Sequence, residues 1–319
     1  MPVDPSRLKS VLETIASEAL RERLRQILSD GFEGVVTRQE VERLAKENKL
    51  TGDEVLLILA KVASAYARPA ISNYPVGAIA LGSSGDCFYM GANLEFEGSA
   101  LSFTLHAEQA AVANAWTHGE EGLLLLAVDE PPCGYCRQFL YELTTAEKLT
   151  VLLQGEGGPV RKPLTHFLPE AFGPKNLEWG KEKEEALMDR EDHQLELIEE
   201  SQDPVVLKAL EAANNCYAPL PYTPNRPSYA GVAIETEEGA EFEGRLAENA
   251  AFNPSLSPLE AAMTMWNFGT SEDGDNVKRV VLVQVQGTVA SQTKATEAVI
   301  AALAGPPAFE EHWARLPLG

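Results

Sequence analysis

The chemistry available to this chain is concentrated in two short segments, Leu105-His106-Ala107-Glu108-Gln109 and Pro131-Pro132-Cys133-Gly134-Tyr135-Cys136. One imidazole and two thiols are donors that suit zinc, with bonds of ~2.0–2.3 Å. Three protein donors leave one tetrahedral position open, which a catalytic zinc needs so that water can bind. Two thiolates, a neutral imidazole and a divalent cation sum to zero charge. The ion then stays electrophilic enough to acidify its water. Glu108 stands two residues beyond His106, and on a helix such residues do not share a face. It is therefore not expected to ligate the same ion. Its place is beside the ion's water, where a carboxylate accepts a proton and returns it elsewhere. His118, His166, His193 and His312 show no ligand-like spacing, and Cys87 and Cys216 read as buried, inert thiols.

These donors need elements that bring them together. An apolar helix is expected over residues 54–67, ended by Arg68-Pro69. A hairpin follows, with strands at 76–80 and 87–90 around Gly82-Ser83-Ser84-Gly85-Asp86. Next come a helix over about 105–116 with His106 in its first turn, a buried strand at 123–128, a helix starting near Cys133, and a strand at 150–153. Both donor groups then lie at helix N-termini, where N–H groups and the helix dipole stabilise thiolates. Hairpin, helix, strand, helix and strand make a mixed sheet between helix layers. Upstream, Leu8, Val11, Leu12 and Ile15 recur at helical spacing, and Thr37-x-x-Glu40 and Thr51-x-x-Glu54 read as capping boxes. Residues 6–50 are expected to be short amphipathic helices that pack on the main body or on a partner subunit.

The pattern then recurs. Residues 205–214 are apolar and helical, and Tyr229-Ala230-Gly231-Val232-Ala233-Ile234 resembles Tyr74-Pro75-Val76-Gly77-Ala78-Ile79. Glu237-Glu238-Gly239 is a hairpin turn, Ala247-Glu248-Asn249 follows as Gly91-Ala92-Asn93 did, and 280–285 repeats the strand at 123–128. The chain reads as two copies of one fold. In the second, Ser257-Pro258-Leu259-Glu260 replaces His106-Ala107-Glu108-Gln109, and residues 288–293 hold no Cys-x-x-Cys. That copy cannot bind this metal, so a structural or interface role is expected. Between the copies, residues 182–203 carry ten acidic side chains against Lys183 and Arg190, a solvated linker or exposed helix.

The 319 residues include 26 Lys+Arg and 48 Asp+Glu, a net charge of −22. The length exceeds a usual domain of ~100–200 residues, so two domains or a duplicated unit is expected. Four cysteines in such a chain are not a disulfide framework, and a Cys-x-x-Cys pair points to metal or redox chemistry in a reducing compartment. The negative charge argues against a nucleic acid, whose binding needs Lys and Arg to displace counterions. The residues from Met1 to Arg7 lack an apolar signal core, and no apolar run is long enough for a bilayer. A cytoplasmic location without membrane partners is expected.

Several motifs together resemble cytidine deaminase: Ser72-Asn73-Tyr74-Pro75-Val76-Gly77-Ala78, Gly91-Ala92-Asn93-Leu94-Glu95-Phe96, His106-Ala107-Glu108-Gln109 and Cys133-Gly134-Tyr135-Cys136-Arg137-Gln138-Phe139. The helical N-terminal extension, the degenerate second copy, Phe172-Gly173-Pro174-Lys175 and the run from Ala247 to Pro254 resemble the homodimeric bacterial and plant form. The resemblance implies a pyrimidine nucleoside pocket with one zinc per subunit, held by His106, Cys133 and Cys136. It implies that Glu108 takes a proton from the attacking water, protonates N3 of cytosine and delivers a proton to departing ammonia. Asn93 and Glu95 match contacts to the ribose 3′-hydroxyl, Ala107 would offer its N–H to the base, and Tyr74 and Phe172 match ring positions near the nucleoside. Ala251 and Phe252 would reach the active site of the opposite subunit. Two departures bear on substrate fit: Tyr74 stands where family members often carry Phe, and Asp129-Glu130-Pro131 replaces a segment that commonly includes an aromatic ring. Arg137 is expected to pair with a helix or subunit carboxylate or, alternatively, to hydrogen-bond a thiolate.

The expected architecture is α/β, a duplicated three-layer αβα cytidine-deaminase-like fold with a mixed sheet and a small N-terminal helical segment. The boundaries read as an N-terminal helical segment at 1–51, a catalytic domain at 52–156, a linker at 157–202 and a non-catalytic copy at 203–319. The expected activity is zinc-dependent deamination of cytidine and 2′-deoxycytidine by a homodimer, in pyrimidine salvage. A deaminase acting within tRNA or single-stranded DNA would share the zinc motif, but the charge of −22 lacks the basic path it needs. A non-enzymatic zinc-stabilised scaffold is the other alternative.

Overall fold

A computed structural model describes residues 5–29, 31–177, 186–189, 192–220, 226–270, 276–303 and 305–317. The chain divides into two compact units. The first comprises Met1–Glu95, Leu105–Ala171 and Asn267–Gly274, and the second Phe96–Thr104, Phe172–Trp266 and Asp275–Gly319.

The first unit opens with helices α1 (Pro5–Glu13) and α2 (Glu18–Ile27), strand β1 (Val35–Thr37), and helices α3 (Arg38–Asn48) and α4 (Gly52–Ala63). Thr51 and Glu54 close the expected capping box on α4, with the Thr51 N–H donating to Glu54 Oε2 at 2.7 Å and the Glu54 N–H to Thr51 Oγ1 at 3.2 Å. The box expected at Thr37 is only half made. Thr37 Oγ1 accepts the Glu40 N–H, but the Glu40 carboxylate takes two hydrogen bonds from Arg23 at 2.7 and 2.8 Å instead. A bidentate ionic pair outcompetes a single backbone donor.

Strands β2 (Gly77–Gly82) and β3 (Cys87–Ala92) form the hairpin, followed by α5 (Ala107–Thr117), β4 (Leu123–Val128), α6 (Gly134–Leu140), β5 (Thr150–Gly155), β6 (Gly158–Pro163) and α7 (Leu164–Phe167). The sheet runs β1-β3-β2-β4-β5-β6, parallel between β4 and β5 and antiparallel elsewhere. Two glycines set how closely the helices approach. A Cβ on Gly77 would lie 2.0 Å from Ala60 O of α4, and one on Gly91 would lie 2.1 Å from Ala107 O of α5. Gly77 pairs with Ala92 and Ala78 with Gly91, so the two glycines point to opposite faces. The sheet is thus pinched between α4 and α5, the expected αβα layering. Strands β1 and β6 were not evident from pattern. The first is three residues long, and the second carries Pro159, Arg161, Lys162 and Pro163, which suit only an edge.

The second unit contains β7 (Glu196–Leu197), α8 (Pro204–Asn214), β8 (Ala230–Thr236), β9 (Glu241–Arg245), most of α9 (Pro258–Gly269), β10 (Val277–Val285), α10 (Thr293–Ile300) and β11 (Ala308–Arg315). Its sheet runs β7-β11-β10-β8-β9, with β10 and β11 parallel. Its two glycines repeat those of the first unit. A Cβ on Gly231 would meet Ala213 N of α8 at 2.2 Å, and one on Gly244 would meet Ala262 N of α9 at 2.1 Å. Gly231 pairs with Arg245 and Val232 with Gly244, the register seen at Gly77 and Gly91. Duplication therefore extends to individual backbone contacts, but with a register that corrects the sequence pairing. Leu246, not Asn249, stands at the Asn93 position, Glu248 at that of Glu95, and Tyr229 at that of Pro75. The glycines against the helices, rather than the similar side chains, set the alignment.

The acidic stretch is not simply a solvated linker or exposed helix. Leu187, Met188 and Leu195 are buried, and β7 pairs with β11, where Arg315 reaches Glu196 at 3.0 Å. Apolar residues interspersed among the acids anchor it. Lys183 and Arg190 lie outside the described residues. Among the described residues, no helix is long and apolar enough to cross a membrane.

Candidate active site

His106 precedes α5 in extended conformation, at the N-cap rather than in the first turn, and Cys133 caps α6 in the same way. Each cap residue departs from its helix axis, which lets two helix starts converge. His106 Nδ1 lies 3.7 Å from Cys133 Sγ, which lies 3.6 Å from Cys136 Sγ. All three donor atoms fall within 4.8 Å of one another, and no other such cluster occurs among the described residues. A tetrahedral zinc with bonds of ~2.0–2.3 Å separates its ligand atoms by ~3.3–3.8 Å, so these spacings fit. The Cys133 thiol is pulled down to about 3 by hydrogen bonds with Cys136 Sγ and the His106 ring. Cys136, sharing its proton with Cys133 in a buried position, is pushed up. The shared proton thus favours the thiolate at Cys133, the exposed end of the pair, which suits a metal ligand.

Glu108 sits in the first turn of α5 and is buried. Burial raises its carboxyl, which hydrogen-bonds the Cys136 thiol and feels the His106 ring. The carboxylate therefore faces the donor cluster from beside it. Ala107 is the first helical residue, where backbone N–H groups have no intrahelical acceptor.

Asn93 is buried at the end of the hairpin. Its Oδ1 accepts the Val76 N–H at 2.8 Å and its Nδ2 donates to Tyr74 O at 3.1 Å. Glu95 accepts the N–H groups of Ile71 and Ser72 at 2.7 and 2.8 Å. Against partial burial, hydrogen bonds from the Ser72 side chain and the backbone of Ser72 and Ile71 pull its carboxyl below the usual range, helped by His106. The Tyr74 ring is 54% exposed, and its hydroxyl hydrogen-bonds Glu130. His106, Glu108, Cys133 and Cys136 thus come together, with Glu95 close enough to feel the imidazole. Phe172 and Phe252 belong to the second unit and are 43% and 63% exposed. Phe252 holds a left-handed backbone at φ 62°, unusual for a bulky residue.

Sequence reasoning missed three supports. Gln109 Oε1 accepts the His106 N–H at 3.3 Å and fixes the ligand's backbone. Tyr135, between the cysteines, stacks on the His106 ring at 5.3 Å with a 20° interplanar angle. Ser72 holds Glu95. A polar or aromatic residue inside a motif is the only signal available for such roles. Among the described residues of this chain, Arg137 meets neither a carboxylate nor a thiolate. It donates to Pro132 O at 2.7 Å and Phe167 O at 3.3 Å, tying the cysteine loop to α7.

Residues 50–152 and 164–297 each match a family model described as the cytidine and deoxycytidylate deaminase zinc-binding region. A cytidine deaminase of Shewanella woodyi is 40% identical over 270 residues, 85% of this chain and 86% of its own. One of Aliivibrio fischeri is 40% identical over 297 residues, 93% of this chain and 94% of its own. The chain belongs to the cytidine deaminase family. As a family member it is a zinc-dependent enzyme that deaminates cytidine, and the imidazole and two sulfurs described above fit that metal.

Both copies match this deaminase family, yet only the first carries the donors. Leu94 bridges to Leu105 and Ala247 to Leu256, so Ser257 stands where His106 stands and buried Leu259 where Glu108 does. The second copy keeps the deaminase scaffold without its metal donors or its acid.

Proposed function

We propose that the protein hydrolyses cytidine and 2′-deoxycytidine to uridine and 2′-deoxyuridine with release of ammonia, as a cytoplasmic homodimer in pyrimidine salvage. His106, Cys133 and Cys136 would hold one zinc per subunit. When bound, zinc supplies a Lewis acid that makes water nucleophilic near neutral pH. Glu108 accepts the proton of that water, transfers it to N3 of the cytosine ring, and carries a second proton to the departing amine. The Ala107 N–H, at the first helical position of α5, binds the base. Asn93 and Glu95 hold the ribose 3′-hydroxyl, while Tyr74 and Phe172 flank the nucleoside. Ala251 and Phe252 reach the site of the opposite subunit, a role suited to an exposed aromatic ring on a tight left-handed turn.

The observation that carries this reading is the buried Glu108 carboxyl facing a three-donor cluster. An acid in that position has a proton-transfer role that a purely structural metal would not need. The test is a spectrophotometric deamination assay on cytidine, 2′-deoxycytidine, cytosine and dCMP, with metal analysis of the same sample. Turnover of the two nucleosides alone, with zinc near one per chain, is the expected result. Turnover of dCMP or free cytosine at comparable rates would overturn the substrate range.

A further inference from the structure

Glu95 is held by a turn whose geometry limits what else it can bind. A carboxylate offers about four acceptor directions, two on each oxygen. Oε2 takes the N–H groups of Ile71 at 2.7 Å and Ser72 at 2.8 Å. Oε1 takes the Ser72 hydroxyl at 2.5 Å. One direction, on Oε1, is left. Ser72 is itself fixed from the other side, because its oxygen accepts the Tyr74 N–H at 3.0 Å. The turn closes behind it with the Asn73 N–H on Pro69 O at 3.0 Å and Asn73 in left-handed conformation at φ 56°, which asparagine tolerates better than most residues. The Glu95 N–H on Arg68 O at 3.0 Å ties the other end.

We propose that Ser72 is a positioning residue for sugar recognition: its hydroxyl fixes the rotation of the Glu95 carboxylate so that the one remaining acceptor direction receives the nucleoside 3′-hydroxyl. This rests on reading Glu95 as the 3′-hydroxyl contact. The second copy offers the contrasting case. Glu248 occupies the register of Glu95, is buried, and is held by the Ser228 hydroxyl and by the Leu220 N–H at 3.2 Å. There the serine comes from a different position, three residues before Gly231, where the first copy has Tyr74. Holding a loop therefore does not require a serine at the Ser72 position. The first copy's arrangement differs in leaving both Ser72 and the turn open to a small ligand.

The test compares Ser72→Ala, Ser72→Thr and Glu95→Ala on cytidine and 3′-deoxycytidine, with thermal midpoints for each variant. A hydrogen bond to a charged group predicts that Ser72→Ala raises KM for cytidine by ~10-fold with little change in kcat. KM for 3′-deoxycytidine should move far less, and Ser72→Thr should restore the cytidine value. If Ser72→Ala shifts both substrates equally, or moves only the thermal midpoint, while Glu95→Ala still discriminates between them, the serine merely holds the turn and the proposal is wrong. If Glu95→Ala itself fails to discriminate, the sugar-contact reading falls and takes the proposal with it.

Discussion

The two copies share a scaffold down to the glycines against which their helices rest, and differ where chemistry is done. At the helix start after the hairpin, the second copy places Ser257, whose hydroxyl accepts the Glu260 N–H at 3.3 Å while Glu260 accepts the Ser257 N–H at 3.1 Å. The first copy gives that position to an imidazole aimed at two thiols. Where the first buries an acid, Glu108, the second buries Leu259. Where the first half-buries Asp129 beside Gly77, the matching register position in the second is the buried Val283 beside Gly231. Two of these exchanges, Glu108 for Leu259 and Asp129 for Val283, set an acid that is costly to desolvate where the other copy has a buried apolar side chain. The active copy gives up stability at the sites where its chemistry resides.

The sharpest break of this contrast is Cys133→Ala, which should abolish both bound zinc and turnover, as metal analysis and an ammonia assay would reveal. Glu108→Gln should retain the metal yet lower turnover by ~10⁴-fold, the upper range for removing a proton-transfer group. If activity survives with the metal in place, the contrast between Glu108 and Leu259 carries no catalytic meaning. Gly91→Ala and Gly244→Ala should each cost about 1–3 kcal/mol through overpacking, read as a lowered thermal midpoint, but only Gly91→Ala should weaken zinc retention against a chelator. Ser257→Ala should cost about 1 kcal/mol by unmaking the cap, with zinc content untouched. The smallest effect is a slope. Burial, resisted by the Gly77 N–H and Lys61, raises the Asp129 carboxyl to about 6, above its unfolded value of ~3.9. The folded state then holds more protons between those values, so this residue makes stability fall as pH rises from ~4 to ~6. Denaturant midpoints of Asp129→Asn across that window should lack this component of the slope.

Much of this was legible from spacing. The convergence of His106, Cys133 and Cys136 could be expected because only helix α5 and strand β4 separate them and both are readable from periodicity, and the repeat is readable from its apolar strands. What escaped has a common cause, dependence on partners distant in sequence. Glu40 left its capping box for Arg23, and Ser72 became meaningful only through Glu95. Leu187 and Met188 lie buried in a stretch whose charge count suggested solvent. Strand β11, with Glu310, Glu311 and His312 among its residues, has a polar sequence that its parallel partner β10 overrides.

The six-stranded sheet terminates on one side in a three-residue strand and on the other in a strand bearing two prolines and two cations. Such margins offer a neighbouring chain few free ladder groups, and although Arg161 is paired with Asp53, Lys162 and the two prolines still disfavour a further strand. The sheet that carries the metal donors is therefore a poor template for growth by edge pairing. Its resistance to that route of aggregation is built in at its borders, in strands that supply none of the metal donors.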